Sequence, residues 1–445
     1  MSETNMNPIF SLKNFRSFGE DGADFELAPI TILTGRNSAG KSSLVKALVL
    51  LSQQSEKTPA DLDEPNFEIT KDPIGAELPI YAKELCLGNF DAIINKESKK
   101  DKVEFSYIIH SNVINEKVRV IKTFQSRLTS VLSYGYLLVV RIERLDGTEI
   151  YGFRDGDADR KKEGIEAMFN SPWINGEIVP KDKWESFLTE TLRPAFLLGL
   201  ADKYINSSSA VIKRVYSVDD SDKISVALRK LFDRARSFVE HASKDRVDAN
   251  DIDPTKFVNR WIRKFEIGNR IAIRNDKVGG QGQYLYLYQG KKRRLLADEG
   301  YGITQLFALI LQIANNLPYH DFKDRNKERW ICVEEPEVHL HPAYQSLLAD
   351  LFVEAYLKYN IHFIIETHSE YLIRRLQVLV ADKDIPLTPN KVSLNYVEKE
   401  EKTRISTNRQ IKILEDGRLS EPFGTGFLDE ASNRAMDLLL LKVQK

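Results

Sequence analysis

Gly35-Arg36-Asn37-Ser38-Ala39-Gly40-Lys41-Ser42-Ser43 brackets a turn with two glycines and closes it with a lysine and two hydroxyls. The spacing G-x-x-x-x-G-K-S suits a loop whose backbone N–H groups wrap phosphate oxygens. In that loop Lys41 is a point charge for the β- and γ-phosphates, and the Ser42 hydroxyl is the expected Mg²⁺ ligand. The chemistry expected is therefore ATP binding through Gly35, Asn37, Ser38, Ala39, Gly40, Lys41, Ser42 and Ser43. Such a loop also occurs as an ordinary helix entry, and the context described below argues against that reading.

Far along the chain, Glu334-Glu335-Pro336-Glu337 follows the apolar run Trp330–Val333. Two adjacent carboxylates at the end of a buried strand are costly in a core and useful at a nucleotide site. Glu334 is expected to hold the Mg²⁺ hydration shell, and Glu335 to orient and polarise the water that attacks the γ-phosphorus. Taken by themselves the two would read as a solvated acidic turn. His368, in Glu366-Thr367-His368-Ser369, stands where a neutral imidazole hydrogen-bonds the γ-phosphate and that water. A lone histidine there would be a capping residue, so its weight comes from the other two motifs. His339-Leu340-His341 reads as a turn, because no Cys or His cluster elsewhere completes a metal set.

These groups need elements that place them at strand ends. Phe10–Phe18 alternates as a half-buried strand, Ile30–Leu33 is an apolar run entering Gly35, and Lys41–Leu51 suits a mostly buried helix. Residues 56–75 read as a surface excursion, followed by strand-like runs at Ile80–Leu87, Val103–His110 and Tyr136–Arg144. From about Asp155 to Gly268 the period turns helical, with Leu228, Leu231, Phe232, Ala235 and Phe238 at three- and four-residue spacings and no sustained heptads. Strand signals return at Arg270–Arg274 and Gln283–Tyr288, then a helix at Thr304–Asn315. Trp330–Val333 and His362–Ile365 read as buried parallel strands joined by a helix over Ala343–Leu357. Val392–Val397 with Arg404–Thr407 predicts a hairpin, and Glu421–Lys445 a glycine-bearing turn and terminal amphipathic helix.

A chain of 445 residues, at roughly 100–200 residues per domain, suggests two or three units. The 64 Lys plus Arg against 65 Asp plus Glu leave a net charge of −1, so the molecule as a whole selects neither nucleic acid nor an acidic partner. Two cysteines, Cys86 and Cys332, far apart in apolar stretches, point to a reducing compartment. With a polar Met1–Pro8 and no run of the ~20 apolar residues a bilayer crossing needs, the expectation is a cytoplasmic protein without a membrane span.

Asn14-Phe15-Arg16-Ser17-Phe18, the Gly35 loop, Glu334 to Pro342 (EEPEVHLHP) and Thr367-His368-Ser369 together resemble the prokaryotic ABC-type ATPases, including RecF and SMC relatives. They are most similar to the ATPase part of overcoming-lysogenisation-defect and other anti-phage ATPases. The resemblance spans Phe10 to about Leu376, while the helical segment carries almost no motif.

It implies an α/β fold: an ABC-ATPase head with a P-loop parallel sheet, an antiparallel β subdomain and a helical insertion. The implied division is residues 1–150, 151–268 (insertion or lid), 269–390 and 391–445. It also places Arg16 on the nucleotide. The partner it implies is a second copy, in a homodimer or higher homo-oligomer in which each ATP is covered by a neighbour's signature segment. Asp298 to Gln305 stands where that segment belongs, but departs from Leu-Ser-Gly-Gly-Gln, so the Gly302 backbone or Thr304 replaces the serine, with Gly300 allowing close approach. An ordinary helix cap is the other reading. Glu334 replaces the usual aspartate, and Asn89 or Asp91, or neither, stands for the missing sensor glutamine; Gln53 reads as packing or surface.

The implied function is an ATPase whose ATP-bound oligomer controls an effector. The 77 residues after His368 leave too little chain for a fused nuclease, so the effector, a nuclease or toxin, is expected as a separate protein, as in Septu- or PARIS-like systems. The competing expectation is a RecF-like ATPase binding duplex DNA directly, permitted by Lys291-Lys292-Arg293-Arg294 and Arg160-Lys161-Lys162, which otherwise are solvated faces.

Overall fold

The computed structural model describes residues 7–55, 77–78, 87, 89–128, 133–154, 173–174, 177–178, 180–192, 194–197, 200, 203–205, 223–242, 253–275, 283–318 and 327–424, with 427, 430, 433–434 and 436–437. In chain order the strands are β1 (Ile9–Lys13), β2 (Ala23–Glu26), β3 (Ile30–Gly35), β4 (Glu77–Leu78), β5 (Lys102–Ser111), β6 (Glu116–Leu128), β7 (Ser133–Arg144), β8 (Glu149–Arg154), β9 (Trp173–Ile174) and β10 (Glu177–Ile178). They continue with β11 (Tyr204–Ile205), β12 (Arg270–Asn275), β13 (Gln283–Gln289), β14 (Lys292–Leu295), β15 (Arg329–Glu334), β16 (Ile361–Glu366), β17 (Val392–Lys399) and β18 (Ser406–Ile411). The α-helices are α1 (Lys41–Ser55), α2 (Lys181–Leu192), α3 (Lys223–Ala242), α4 (Pro254–Lys264), α5 (Tyr301–Asn315), α6 (Pro342–Tyr359) and α7 (Glu370–Ala381). The architecture is mixed α/β, with parallel and antiparallel sheets and helices.

Contacts divide the chain into two compact units, residues 1–202 with 392–412 and 420–445, and residues 203–391 with 413–419. The second unit opens inside the 151–268 segment expected to be helical.

In the first unit an antiparallel sheet runs β2-β1-β5-β6-β7-β4, with β8 on β7. Phe10, Phe105 and Phe124 interlock across it, with ring centroids 6.3 and 6.0 Å apart. The alternation read through Phe18 stops at Lys13, because Asn14 and Arg16 take positive φ (53° and 55°) and turn the chain. Phe15 keeps only an isolated bridge to Ile94. The separate pair β3 and β17 is parallel, from Val392↔Ile30 to Val397↔Gly35, and β18 returns antiparallel along β17. The predicted hairpin therefore exists, with its second strand beginning two residues later than expected. The apolar face of α1, with Leu44, Leu48 and Leu51 fully buried, packs on β3 and fixes where the loop before it ends. Each such side chain contributes about 1.5–3 kcal/mol by leaving water.

In the second unit β11, β15 and β16 lie parallel, and every residue of β16 is buried. The crossover α6 starts on Pro342, capped by His341 Nδ1 accepting from Ala343 N at 3.3 Å, and ends where Asn360 turns left-handed at φ 53°. Its length and the Pro-first, Asn-last punctuation make it the connection that parallel strands require. Helices α3, α4 and α5 pack on one another through Leu228, Leu231, Trp261 and Ile310. The side chains of Ala235 and Phe238 fall outside the described residues, as do most of Ile80–Leu87 and the terminal segment. Among the described residues no helix is long and apolar enough to cross a membrane.

Candidate functional site

The loop after β3 adopts the conformation that its glycines permit. Gly35 and Gly40 have φ of +134° and +105°, and Ser38 lies between them at +59°. A Cβ on Gly35 would stand 2.1 Å from Val397 O, and one on Gly40 2.2 Å from Ser17 Oγ, so glycine is required by packing as well as by φ. Arg36, Asn37 and Ser38 are exposed at the crest, Ala39 and Ser43 are buried, and Ser42 is half-buried at the start of α1. Lys41 is 3% exposed and bends back, its Nζ donating to Gly35 O at 3.2 Å and Arg36 O at 3.0 Å.

Those lysine bonds hold the loop shut around the ammonium. Arg16 donates its N–H to Ile93 O at 2.6 Å and accepts from Asn95 Nδ2 at 2.8 Å through its own carbonyl. The turn that carries Arg16 also carries Ser17, whose carbonyl accepts from Ser406 N at 2.8 Å. The hydroxyls of Ser17 and Ser406 both face Gly40 and are buried without a hydrogen-bond partner among the described residues. Sequence reading passed over Ser406, which has no motif and reaches the loop only because β18 pairs with β17. A glycine turn, a helix N-terminus, a lysine and two unsatisfied hydroxyls fit a polyphosphate.

In the second unit Glu334 ends β15, in register with Glu366 at the end of β16. Glu334 Oε2 accepts from the Tyr204 hydroxyl at 2.8 Å, an oriented contact made because β11 pairs with β15, Tyr204 opposite Cys332. Burial first, then the charges of Glu334 and Glu366, pushes the Cys332 thiol well above its ordinary pKa.

Glu335 takes φ 48°, rare for a side chain without a short polar tip. It is held there by its N–H donating to Glu366 O at 2.7 Å and by its carbonyl accepting from Gln305 Nε2 at 3.3 Å. Gln305 is buried in α5 and was not a sequence candidate beyond its place in the 298–305 segment.

Glu337, 7% exposed, accepts the His368 backbone N–H at 2.6 Å, so one buried carboxylate fixes the chain on which His368 sits. Burial raises the Glu337 pKa, partly opposed by that N–H. Ser369 next caps α7, accepting from Leu372 N at 3.1 Å, and donates to Gln345 Oε1 at 2.7 Å. Tyr204, Gln305 and Glu337 thus hold Glu334, Glu335 and His368 in the second unit, and of these three Tyr204 alone lies outside the segments singled out in the sequence.

The 298–305 segment separates into an open and a closed part. Gly300 precedes α5 with nothing within 4 Å of an added Cβ, and Tyr301 beside it is 46% exposed. A Cβ on Gly302 would meet His339 O at 2.4 Å, so this glycine serves the approach of α5 to the 335–341 turn. Thr304 is buried and spends its hydroxyl on Tyr301 O at 2.7 Å.

His339 sits in that turn at φ 61° with its ring edge-on to Tyr301, and His341 caps α6. Asn89 caps a short turn by accepting from Ala92 N at 3.0 Å, while Asp91 accepts from Ser126 Oγ at 3.0 Å. Gln53 is half-buried in α1. Among the described residues no group of three His, Cys, Asp or Glu side chains is arranged to hold a metal. Each unit offers an oxygen donor of the kind Mg²⁺ takes, the Ser42 hydroxyl in the first and the Glu334 carboxylate in the second.

Residues 145–374 match a family described as "AAA domain, putative AbiEii toxin, Type IV TA system". Residues 9–171 match one described as an AAA ATPase domain, and 387–438 one described as a protein of unknown function, DUF3696. No curated protein matches the chain. Among solved structures, an SMC head domain from Thermotoga maritima is 13% identical at a TM-score of 0.41, over 91% of this chain and 98% of that one. An Smc head domain with an extended coiled coil, bound to the C-terminal domain of ScpA and derived from Pyrococcus furiosus, is 12% identical at 0.43, over 98% and 100%.

Proposed function

As the chain belongs to the AAA family matched over residues 145–374 and is an ATP-hydrolysing enzyme, we propose that it is the ATP-driven switch of a prokaryotic anti-phage or toxin–antitoxin system. The observation that carries this reading is the conjunction, in a chain of that family, of a closed phosphate loop at Gly35–Ser43 and a braced carboxylate pair at Glu334–Glu335. The family's description, which names a toxin of a toxin–antitoxin system, supports the defence role.

In this reading ATP displaces the two lysine contacts, and Lys41 exchanges loop carbonyls for the β- and γ-phosphates. Backbone N–H groups of 37–43 take the phosphate oxygens, and the Ser17 and Ser406 hydroxyls support the loop at Gly40. Ser42 and Glu334 would each offer an oxygen ligand to Mg²⁺, which would neutralise phosphate charge, and the Tyr204 hydroxyl orients the Glu334 carboxylate. Glu335 orients the attacking water, and His368, anchored through Glu337, contacts the γ-phosphate.

A second copy supplies the exposed Gly300–Tyr301 start of α5 to the bound nucleotide. Of the two substitutes for the missing serine, the hydroxyl of Thr304 is engaged within its own helix, which favours backbone N–H groups near Gly300 and Gly302. ATP thus favours the assembled state and hydrolysis releases it, and a separate nuclease or toxin effector responds to that change.

The test is Glu335→Gln, which keeps the side-chain volume but removes the base. On gel filtration with ATP this variant is expected to run as a dimer or larger species that persists, where the parent reverts as ATP is spent. A variant that binds ATP and never changes its elution would sink the assembly model.

A further inference from the structure

Strands β12, β13 and β14 form a three-stranded antiparallel sheet of the second unit with two unlike faces. On one face Leu285 and Leu287, each 1% exposed, and Ile271 turn inward, and α4 packs against β12, with Asn259 accepting from Ile271 N at 2.9 Å. The other face carries Tyr284, Tyr286 and Tyr288 at alternate positions of β13. Register sets Arg274 opposite Tyr284, Arg270 opposite Tyr288 on one side, and Arg293 opposite Tyr288 on the other.

No acidic residue stands at a paired position of this face, and all three arginines are exposed. The basic run 291–294 is therefore split by the pleat. Arg293 joins the tyrosine face, whereas Arg294 lies on the other, paired with Glu299 at 3.1 Å and donating to Ile267 O at 3.2 Å.

The planar groups are already ordered. The Arg270 guanidinium lies 3.9 Å from the centre of the Tyr288 ring, and that of Arg293 lies 4.8 Å from the Tyr286 ring. Tyr284 and Tyr286 are 6.4 Å apart and inclined by only 33°. Arg274, and after it Arg293, hydrogen-bonds the Tyr288 hydroxyl and lowers its pKa. Arg270 and Arg293 are thus each seated over a ring while remaining exposed.

We propose that this face binds single-stranded nucleic acid, its bases stacking on Tyr284 and on the guanidinium planes of Arg270 and Arg293, and its phosphates taken by the arginine edges. Bases stack on aromatic rings and arginine planes alike, and the charged edges supply the sequence-independent part. An acidic peptide would satisfy the charges and leave the ordered ring row without a use. A duplex hides its base faces and presents only phosphates and base edges, so the ring row would have nothing to stack on.

The inference is independent of the defence role, and the occupant does not have to touch the nucleotide site. The test is fluorescence anisotropy of the full chain with labelled 20-mers of single-stranded DNA, RNA and duplex, at 50 and 200 mM salt. Single strands are expected to bind more tightly than duplex, with a log–log salt slope of about −2 for three phosphate contacts. Tyr284→Ala is expected to weaken binding about 5- to 150-fold, the range of one lost base stack. Arg270→Lys with Arg293→Lys keeps the charge, so it should weaken binding while leaving the salt slope in place. The ATPase rate without oligonucleotide reports that these variants are folded. Equal binding of duplex, displacement of the oligonucleotide by an equally charged poly-glutamate peptide, or affinity unchanged in folded Tyr284→Ala and in the double lysine variant would each overturn the proposal.

Discussion

Glu334 differs from the aspartate usual at such strand ends by one methylene, and the Tyr204 hydroxyl donates to the longer side chain at 2.8 Å. A carboxylate that must meet a hydrated Mg²⁺ benefits from a fixed rotamer, because the ion tolerates little deviation from octahedral geometry. Tyr204→Phe keeps the ring and removes only the donor, so the fold should survive. On the role proposed for Glu334, it should raise the Mg²⁺ concentration for half-maximal ATPase activity about tenfold, with ATP binding in the absence of metal unchanged. A magnesium titration of steady-state hydrolysis reads this directly, and an unchanged midpoint would remove Tyr204 from the site. Glu337 acts differently: it is buried and bonded to a backbone N–H, so its contribution is to fix the chain at His368.

At the scale of elements, α5 and β16 show how packing constrains both ends of the site. Helix α5 approaches the 335–341 turn so closely that only glycine fits at 302, and the same approach lets Gln305 hold the Glu335 carbonyl. In β16 the ring of His362 is buried against Trp330, 4.7 Å away, and Tyr356, 5.4 Å away, with Nε2 bonded to Asn360 Oδ1 at 2.9 Å. Burial, helped by the charge of Lys391, lowers its pKa from 6.5 to about 4. The unfolded chain therefore binds the proton first as pH falls, and stability present above pH 6.5 is lost progressively down to about pH 4. The expected loss is about 3 kcal/mol. His362→Phe should flatten that part of the pH dependence, which urea unfolding of parent and variant at pH 7, 5.5 and 4.5 measures as a narrowing difference. Parallel curves for the two proteins would show that His362 titrates in the fold as it does in the unfolded chain.

For the whole molecule, the proposed nucleotide site is one that a single copy does not complete, and this predicts complementation between inactive chains. Lys41→Ala lacks the phosphate charge and keeps its α5 start; Gly300→Trp keeps its phosphate loop and, with open space around Gly300, its fold. Each alone should be inactive. Mixed in equal amounts under subunit exchange, half the dimers carry one intact site of two, so activity should return to about a quarter of the parent value. No recovery in the mixture would mean that each copy hydrolyses ATP by itself. The chain's net charge of −1 adds that any nucleic-acid binding comes from a local surface such as the β12–β14 face, since the molecule as a whole offers no attraction.

The phosphate loop, the carboxylate pair and the strands that end at them are legible along the chain, because their signals are contiguous: glycine spacing, a four-residue apolar run, and Pro and Asn bounding the crossover helix. Strand β6 was less legible, its Lys117, Arg119 and Lys122 diluting an apolar pattern that pairing with β5 and β7 makes into a strand. The early end of β1 depended on two left-handed residues that are not glycine. The contacts that brace these residues come from folding: in the second unit Tyr204 reaches Glu334 over 130 residues and Gln305 reaches Glu335 from α5, and in the first Ser406 reaches Gly40 from β18. A hydrogen bond depends on distance and direction in space, and neither is written in the spacing of residues so far apart in the chain. The same holds for the tyrosine and arginine face, where the pleat separates Arg293 from Arg294 and sets three strands in register.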